Sequence, residues 1–232
     1  MAKRKISFSL PRPARGLPLV VASLALANAW VFAFELAHFA GQGESALGEL
    51  FETWGLVPRE LLRGARPGLA APARLWLTPL TAMFLHGSWL HLAGNLLYLW
   101  IFGAAVEEVL GHARFALLYA VCGVAAAAVQ VASDPGSFVA TVGASGAVSG
   151  VLGAYAVTHP TRRLQLLWPP LRVPAAVFLL AWVGLQVLSG LGAMRGGGGG
   201  IAWWAHVGGF AAGAALGRAM WVRKPSAARP RS

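Results

Sequence analysis

One cysteine, Cys122, stands in the whole chain, and it lies inside an apolar run. No disulfide can close within a single chain and no cysteine-based metal site can be built, so Cys122 reads as a small core residue. Charge is scarce as well. Asp, Glu, Lys and Arg make up 12% of the residues, about half of what soluble domains carry. No internal inverted repeat is found, which counts against a small transporter. What is abundant is apolar: 57% of the 232 residues are hydrophobic and the mean hydropathy is +0.61. These values describe a polytopic membrane protein built as one compact helical domain.

The net charge of +11 would suggest nucleic acid if it formed a basic face with interleaved aromatics. None occurs, and no nucleic-acid partner is expected. Lys3, Arg4, Lys5, Arg12 and Arg15 instead precede the first apolar run, and Arg218, Arg223, Lys224, Arg229 and Arg231 follow the last. Basic ends flanking apolar segments are the mark of cytoplasmic anchoring.

Six apolar runs are read as spans, at roughly 17–40, 82–106, 113–132, 144–158, 173–193 and 201–222. Residues 1–16 form a basic cytoplasmic N-terminal segment, 17–222 the membrane domain and 223–232 a basic cytoplasmic tail. Ala27-Asn28-Ala29 resembles a signal-peptidase site, but the apolar stretch continues through Phe34, so a retained helix is expected. Residues 41–79 mix Glu44, Glu49, Glu52, Glu60 and several arginines with Leu, Phe and Trp. Short amphipathic helices at the interface are expected there, anchored by Trp54 and Trp76. Tight turns are expected at Glu107–Gly111 and Asp134-Pro135-Gly136, and a pliant loop at Gly196–Gly200. Six spans put both ends on one side. With the ends in the cytoplasm, fourteen of the 19 Lys and Arg face inward, as the positive-inside bias asks. Glu35, late in the first run, is expected near the outer interface.

The stretch Thr141–Tyr155, TVGASGAVSGVLGAY, carries two hydroxyls among glycines and alanines. Gly146 and Gly150 are four apart, as are Ser145 and Ser149, so each pair makes a stripe on a helix. Ala205, Gly209 and Gly213 form a second small-residue stripe in the sixth run. Two such stripes face to face let backbones come unusually close. Taken singly, a membrane serine is packing material bonded to its own helix, and a membrane histidine a hydrogen-bonded core group. Their coincidence at similar depth changes that reading. Ser145 opens the fourth run, His206 lies in the sixth, and His91 and Asn95, four apart, share one face of the second. A serine beside a histidine is a nucleophile–base pair. No Asp or Glu lies near these runs to orient the imidazole, so a dyad is expected rather than a triad. The Asn95 amide, a His91 N–H and the Ser145 backbone N–H are candidate donors to an oxyanion.

The chain resembles the rhomboid intramembrane serine proteases. The matching residues are His91-Leu-Ala-Gly-Asn95, Gly143-Ala144-Ser145-Gly146 and Ala205-His206-Val-Gly-Gly209-Phe-Ala-Ala-Gly213. Gly103-Ala-Ala-Val-Glu107-Glu-Val-Leu-Gly111 also resembles the family's turn after its second helix, where a glutamate ties down the cytoplasmic end. The resemblance covers about residues 74–215. It implies an all-α, six-transmembrane-helix bundle with an interfacial first outer loop, and an active site sunk below the outer surface. It implies Ser145 as nucleophile, His206 as general base and then acid, His91 and Asn95 as oxyanion donors, and Gly143 in the loop bounding the substrate cleft. The implied partners are single-span transmembrane protein substrates and the lipid bilayer, with no metal or cofactor. The expected setting is a bacterial inner membrane with both termini cytoplasmic. The position four after the nucleophile, often Tyr in the family, is Ser149 here; Trp203, Trp204 or Tyr155 are candidates to support His206 instead. The family's Trp-Arg pair in the first outer loop is replaced by Arg74-Leu75-Trp76. The alternative from another class is a rhomboid-like protein that binds membrane clients without cutting them.

Overall fold

The computed structural model describes residues 16–64, 72–165, 171–197 and 200–222. The basic segment expected at 1–16, Gly16 apart, and the tail expected at 223–232 lie outside these residues, as does part of the 196–200 glycine loop.

The chain is mostly helical. The first long helix, α1 (Leu19–Gln42), ends at Gly43, whose φ of 84° suits a residue without a Cβ. Four short helices follow where the mixed charged and aromatic segment was read: α2 (Glu44–Trp54), α3 (Pro58–Arg63), α4 (Pro72–Leu75) and α5 (Thr78–Thr81). A 3-10 turn at Ala82–Phe84 leads to α6 (Trp89–Tyr98), a π turn at Leu99–Gly103 and α7 (Ala104–Leu110), which run on as one 22-residue helix. Then come α8 (His112–Ser133), α9 (Ser145–Thr158), α10 (Ala175–Gly192) with a π turn over Ala193–Gly197, and α11 (Trp203–Val222).

Among the described residues, four helices are long and apolar enough to cross a membrane: α1, α6 with α7, α8, and α10 extended to Arg195. Four such helices describe an integral multi-pass membrane protein. The 14-residue α9 is shorter, and its enclosure explains its composition. Its residues from Gly146 to Ala154 are buried on every side. A helix apolar all round belongs in the middle of a bundle.

Helices α9 and α11 meet along their glycines. A Cβ on Gly209 would overlap the Gly146 carbonyl oxygen, one on Gly213 the Gly150 carbonyl, and one on Gly153 the Phe210 carbonyl. The two backbones are therefore in direct contact, the arrangement that small-residue stripes at spacing four permit. On the other side of α9, Gly150 rests on Cys122 of α8.

Three expectations are corrected. The second span, expected from about residue 82, becomes a continuous long helix only at Trp89. Ser88 is the reason: its Oγ accepts from the His91 backbone N–H at 3.2 Å and sets the N-terminus there. The same helix reaches Leu110, so the turn expected at Glu107–Gly111 narrows to Gly111 alone, at φ 83°. The chain is also not wholly helical. Arg163–Gln165 (β1) and Arg172–Pro174 (β2) pair antiparallel in the basic segment before α10.

Two buried carboxylates hold backbone N–H groups, one at a helix end and one in an irregular segment. Glu107 accepts from the Val20 and Val21 N–H groups at 2.9 Å each, placing negative charge at the start of α1, where it is favoured. Glu35, late in α1, is 2% exposed. It accepts from the His86 backbone N–H at 3.0 Å, in the irregular segment Leu85–Ser88 that has no helical partner to offer.

Candidate active site

The segment before α9 is pinned on both sides. Leu56 and Thr141 exchange backbone hydrogen bonds of 3.0 and 2.8 Å, and the Gly143 N–H donates to the Ala82 carbonyl at 2.8 Å. Gly143 sits at φ 117°, and a Cβ there would strike the His91 ring. The chain thus enters α9 by a route only glycine accepts. Ala144 caps the helix and Ser145 is its first residue, so the Ser145 N–H has no partner within the helix.

Helix α11 brings His206 to Ser145. The Ala205 N–H donates to Gln130 Oε1 of α8 at 3.3 Å, which anchors the start of α11. Nε2 of His206 lies 2.8 Å from Ser145 Oγ, across 61 residues of sequence. The opposite ring nitrogen, Nδ1, lies 2.8 Å from Oε1 of Gln186 on α10. Trp182 is tilted beside the imidazole with ring centroids 6.0 Å apart, and Trp203 meets it edge-on at 6.4 Å.

Of the three residues considered for supporting His206, Trp203 touches it. Trp204 packs at Gly190, and Tyr155 lies farther along α9 between Phe102 and a stacked His159. Ser149 is engaged by its own helix: its hydroxyl donates to the Ser145 carbonyl at 2.6 Å. Gln186 escaped the sequence reading. A lone amide in an apolar 18-residue helix, at a depth similar to a histidine, was the available signal.

His91 and Asn95 lie on one face of α6, as their spacing requires, but they have different neighbours. His91 packs on Gly143 and meets His86 edge-on, ring centroids 5.1 Å apart. The Asn95 amide nitrogen lies 3.0 Å from His86 Nε2. His86 Nδ1 is 3.1 Å from the Phe84 carbonyl, which can only accept, so Nδ1 carries the proton and Nε2 accepts from Asn95. Glu35, His86 and Asn95 thereby form a chain of hydrogen bonds; of the three, only Asn95 was expected at the site, and His86 was not singled out by the sequence. Among the described residues no hydrogen bond joins His91 or Asn95 to Ser145; Gly143, two residues before Ser145, is the link on that side. A cavity of about 30 Å³, room for roughly two waters, opens beside Ser145 between Met83, Ala126, Gly143, Gly146 and Ala205.

This arrangement supplies a hydroxyl hydrogen-bonded to an imidazole at a helix N-terminus, in a site walled by helix backbones. Its elements can take a proton from an oxygen nucleophile and stabilise negative charge on an adjacent oxygen.

Comparison with known proteins is consistent with that chemistry. The Rhomboid domain family matches residues 73–223. Rhomboid-type serine protease 2 of Emericella nidulans is 30% identical over 177 residues, 75% of this chain and 32% of its own length. The Putative rhomboid protease YdcA of Bacillus subtilis (strain 168) is 38% identical over 80 residues, 34% of this chain and 40% of its own. Rhomboid protease GluP of the same organism is 43% identical over 79 residues, 34% of this chain and 15% of its own. The chain thus spans less than half the length of these relatives.

Proposed function

The chain belongs to the rhomboid family, and on that premise we propose that it is an intramembrane serine endopeptidase working by a Ser145–His206 dyad. The observation that carries the reading is the 2.8 Å separation of Ser145 Oγ and His206 Nε2. The names of the relatives, several of them serine or rhomboid proteases, support it.

In this mechanism His206 takes the hydroxyl proton as Ser145 Oγ attacks the scissile carbonyl, forming a tetrahedral oxyanion. The oxyanion is met by the Ser145 N–H, which has no partner within α9 and lies at a helix end that favours negative charge, with His91 and Asn95 as side-chain donors. Gly143 bounds the cleft on that side. His206 then protonates the leaving amine, and the acyl-enzyme is released by water that His206 activates in turn. Every step uses groups of this chain and water.

The substrates are single-span membrane proteins cut in or near the bilayer after a small residue, where helix-breaking residues free an extended segment. Helices α9 and α11 join the four long helices to make a six-span bundle over residues 17–222. The enclosure of the short α9 and its glycine-mediated contact with α11 support this count. We place the protein in the inner membrane of a bacterial cell with both termini in the cytoplasm, on the strength of the basic residues at the ends.

The test is cleavage of a model single-span substrate in liposomes by wild type and Ser145→Ala. The wild type should cut and the variant should not. Equal rates would refute the assignment, and binding of substrate without cleavage by the wild type would favour the client-binding alternative.

A further inference from the structure

His206 has two ring nitrogens, and only one protonation pattern lets it act on Ser145. A neutral imidazole carries a single N–H. If Nε2 bore it, the ring would present a donor to the serine hydroxyl and could not take its proton. The Nδ1–H form leaves the Nε2 lone pair free. Something must therefore face Nδ1 and accept.

Gln186 does so. It is the buried amide of α10, 6% exposed, on a helix whose neighbouring Leu185 and Leu188 are 59% and 67% exposed. Its Oε1 stands 2.8 Å from Nδ1. A carbonyl oxygen only accepts, so with Oε1 in that place the proton sits on Nδ1 and Nε2 is left bare toward Ser145 Oγ, also at 2.8 Å. No ring stands where Ser149 is, and the Ser149 hydroxyl is spent on the Ser145 carbonyl. Trp182 and Trp203 flank the imidazole without offering an acceptor to Nδ1.

We propose that Gln186 is the positioning residue for His206, selecting the Nδ1–H tautomer and holding the ring on a line from α10 to Ser145. Its catalytic consequence rests on the protease reading above; the tautomer assignment does not. In the acyl transfer the Ser145 hydroxyl proton moves to Nε2, the Nδ1 proton stays where it is, and the amide of Gln186 changes neither charge nor protonation. The neutral amide orients the base without lending it a counter-charge. Fixing a histidine by the partner of its other nitrogen is a general device for making one lone pair available.

Gln186→Met removes the acceptor at similar length, and Gln186→Glu keeps an acceptor oxygen. The full chain, with ¹⁵N-labelled histidine in lipid nanodiscs, should show wild-type His206 protonated at Nδ1 and bare at Nε2. Gln186→Met should lose that preference, and its kcat should fall about 10- to 100-fold, part of the roughly 10²–10⁴ that a placed base contributes, with KM within about twofold. Gln186→Glu should restore the Nδ1–H form and most of the lost kcat. A wild-type His206 protonated at Nε2 would overturn the proposal, as would a Met variant with unchanged tautomer and kcat, or a Glu variant no better than Met. A wild type that neither cuts substrate nor reacts with a serine-directed probe would defeat the protease reading alone, since the tautomer measurement decides on Gln186 without catalysis.

Discussion

Gly209 of α11 lies so close to Gly146 of α9 that a Cβ on Gly209 would overlap the Gly146 carbonyl oxygen. That contact sets the separation of the two helices carrying Ser145 and His206. Gly209→Ala forces backbone against backbone, with no flexible side chain to yield. The expected result is a loss of about 1–3 kcal/mol of stability, typical of overpacking, and cleavage reduced at least tenfold. Thermal unfolding in detergent and a cleavage assay measure both. Gly184→Ala is the control: a Cβ there meets nothing within 4 Å, so stability and activity should hold.

Gly143 combines a φ of 117° with a Cβ path blocked by the His91 ring. Gly143→Ala must shift either the loop before Ser145 or His91. Activity should fall more than tenfold while the other helices stay folded, so kcat drops with little change in helical circular dichroism. Wild-type turnover by this variant would remove Gly143 from the site.

These glycines bear on how much could be read beforehand. The small-residue stripes, the serine and the two motif histidines were legible because spacing four on a helix is a local property. The start at Trp89 was not, because apolar residues 82–85 lead into it and only the Ser88 side chain, after His86 and Gly87, fixes where the helix begins. The roles of Gln186, His86 and Glu35 were not legible either. Each is a single polar residue in an apolar segment, and its meaning comes from a partner 20, nine or 51 residues away. The pairing of Arg163–Gln165 with Arg172–Pro174 was hidden by short length and proline.

Glu35 holds the His86 backbone amide inside the protein. Glu35→Ala leaves that N–H unsatisfied, at a cost of about 1–3 kcal/mol, and loosens the His86–Asn95 bond beyond it. Glu35→Gln retains an acceptor and should lose less. Unfolding midpoints of the two variants, compared under one detergent condition, check the order.

His159 lies just past the end of α9, stacked on Tyr155 at 4.7 Å. Burial, aided by the nearby Arg162 charge and opposed by Glu108, lowers its imidazole pKa below the ordinary 6.5. The unfolded chain therefore binds this proton more readily. The stability it contributes is complete above about pH 6.5 and declines as pH falls toward the folded-state value. His159→Phe keeps the stacking and removes the titration. Its melting temperature should depend less on pH between 7 and 5 than that of the wild type.

The most direct measurement is the site of covalent reaction. Wild type and His206→Ala are treated with a fluorophosphonate in liposomes, digested and mapped by mass spectrometry. The dyad predicts a single phosphonylated residue, Ser145, in the wild type and at least tenfold less modification in His206→Ala. Modification of another residue, or of Ser145 at an undiminished rate without His206, would contradict it.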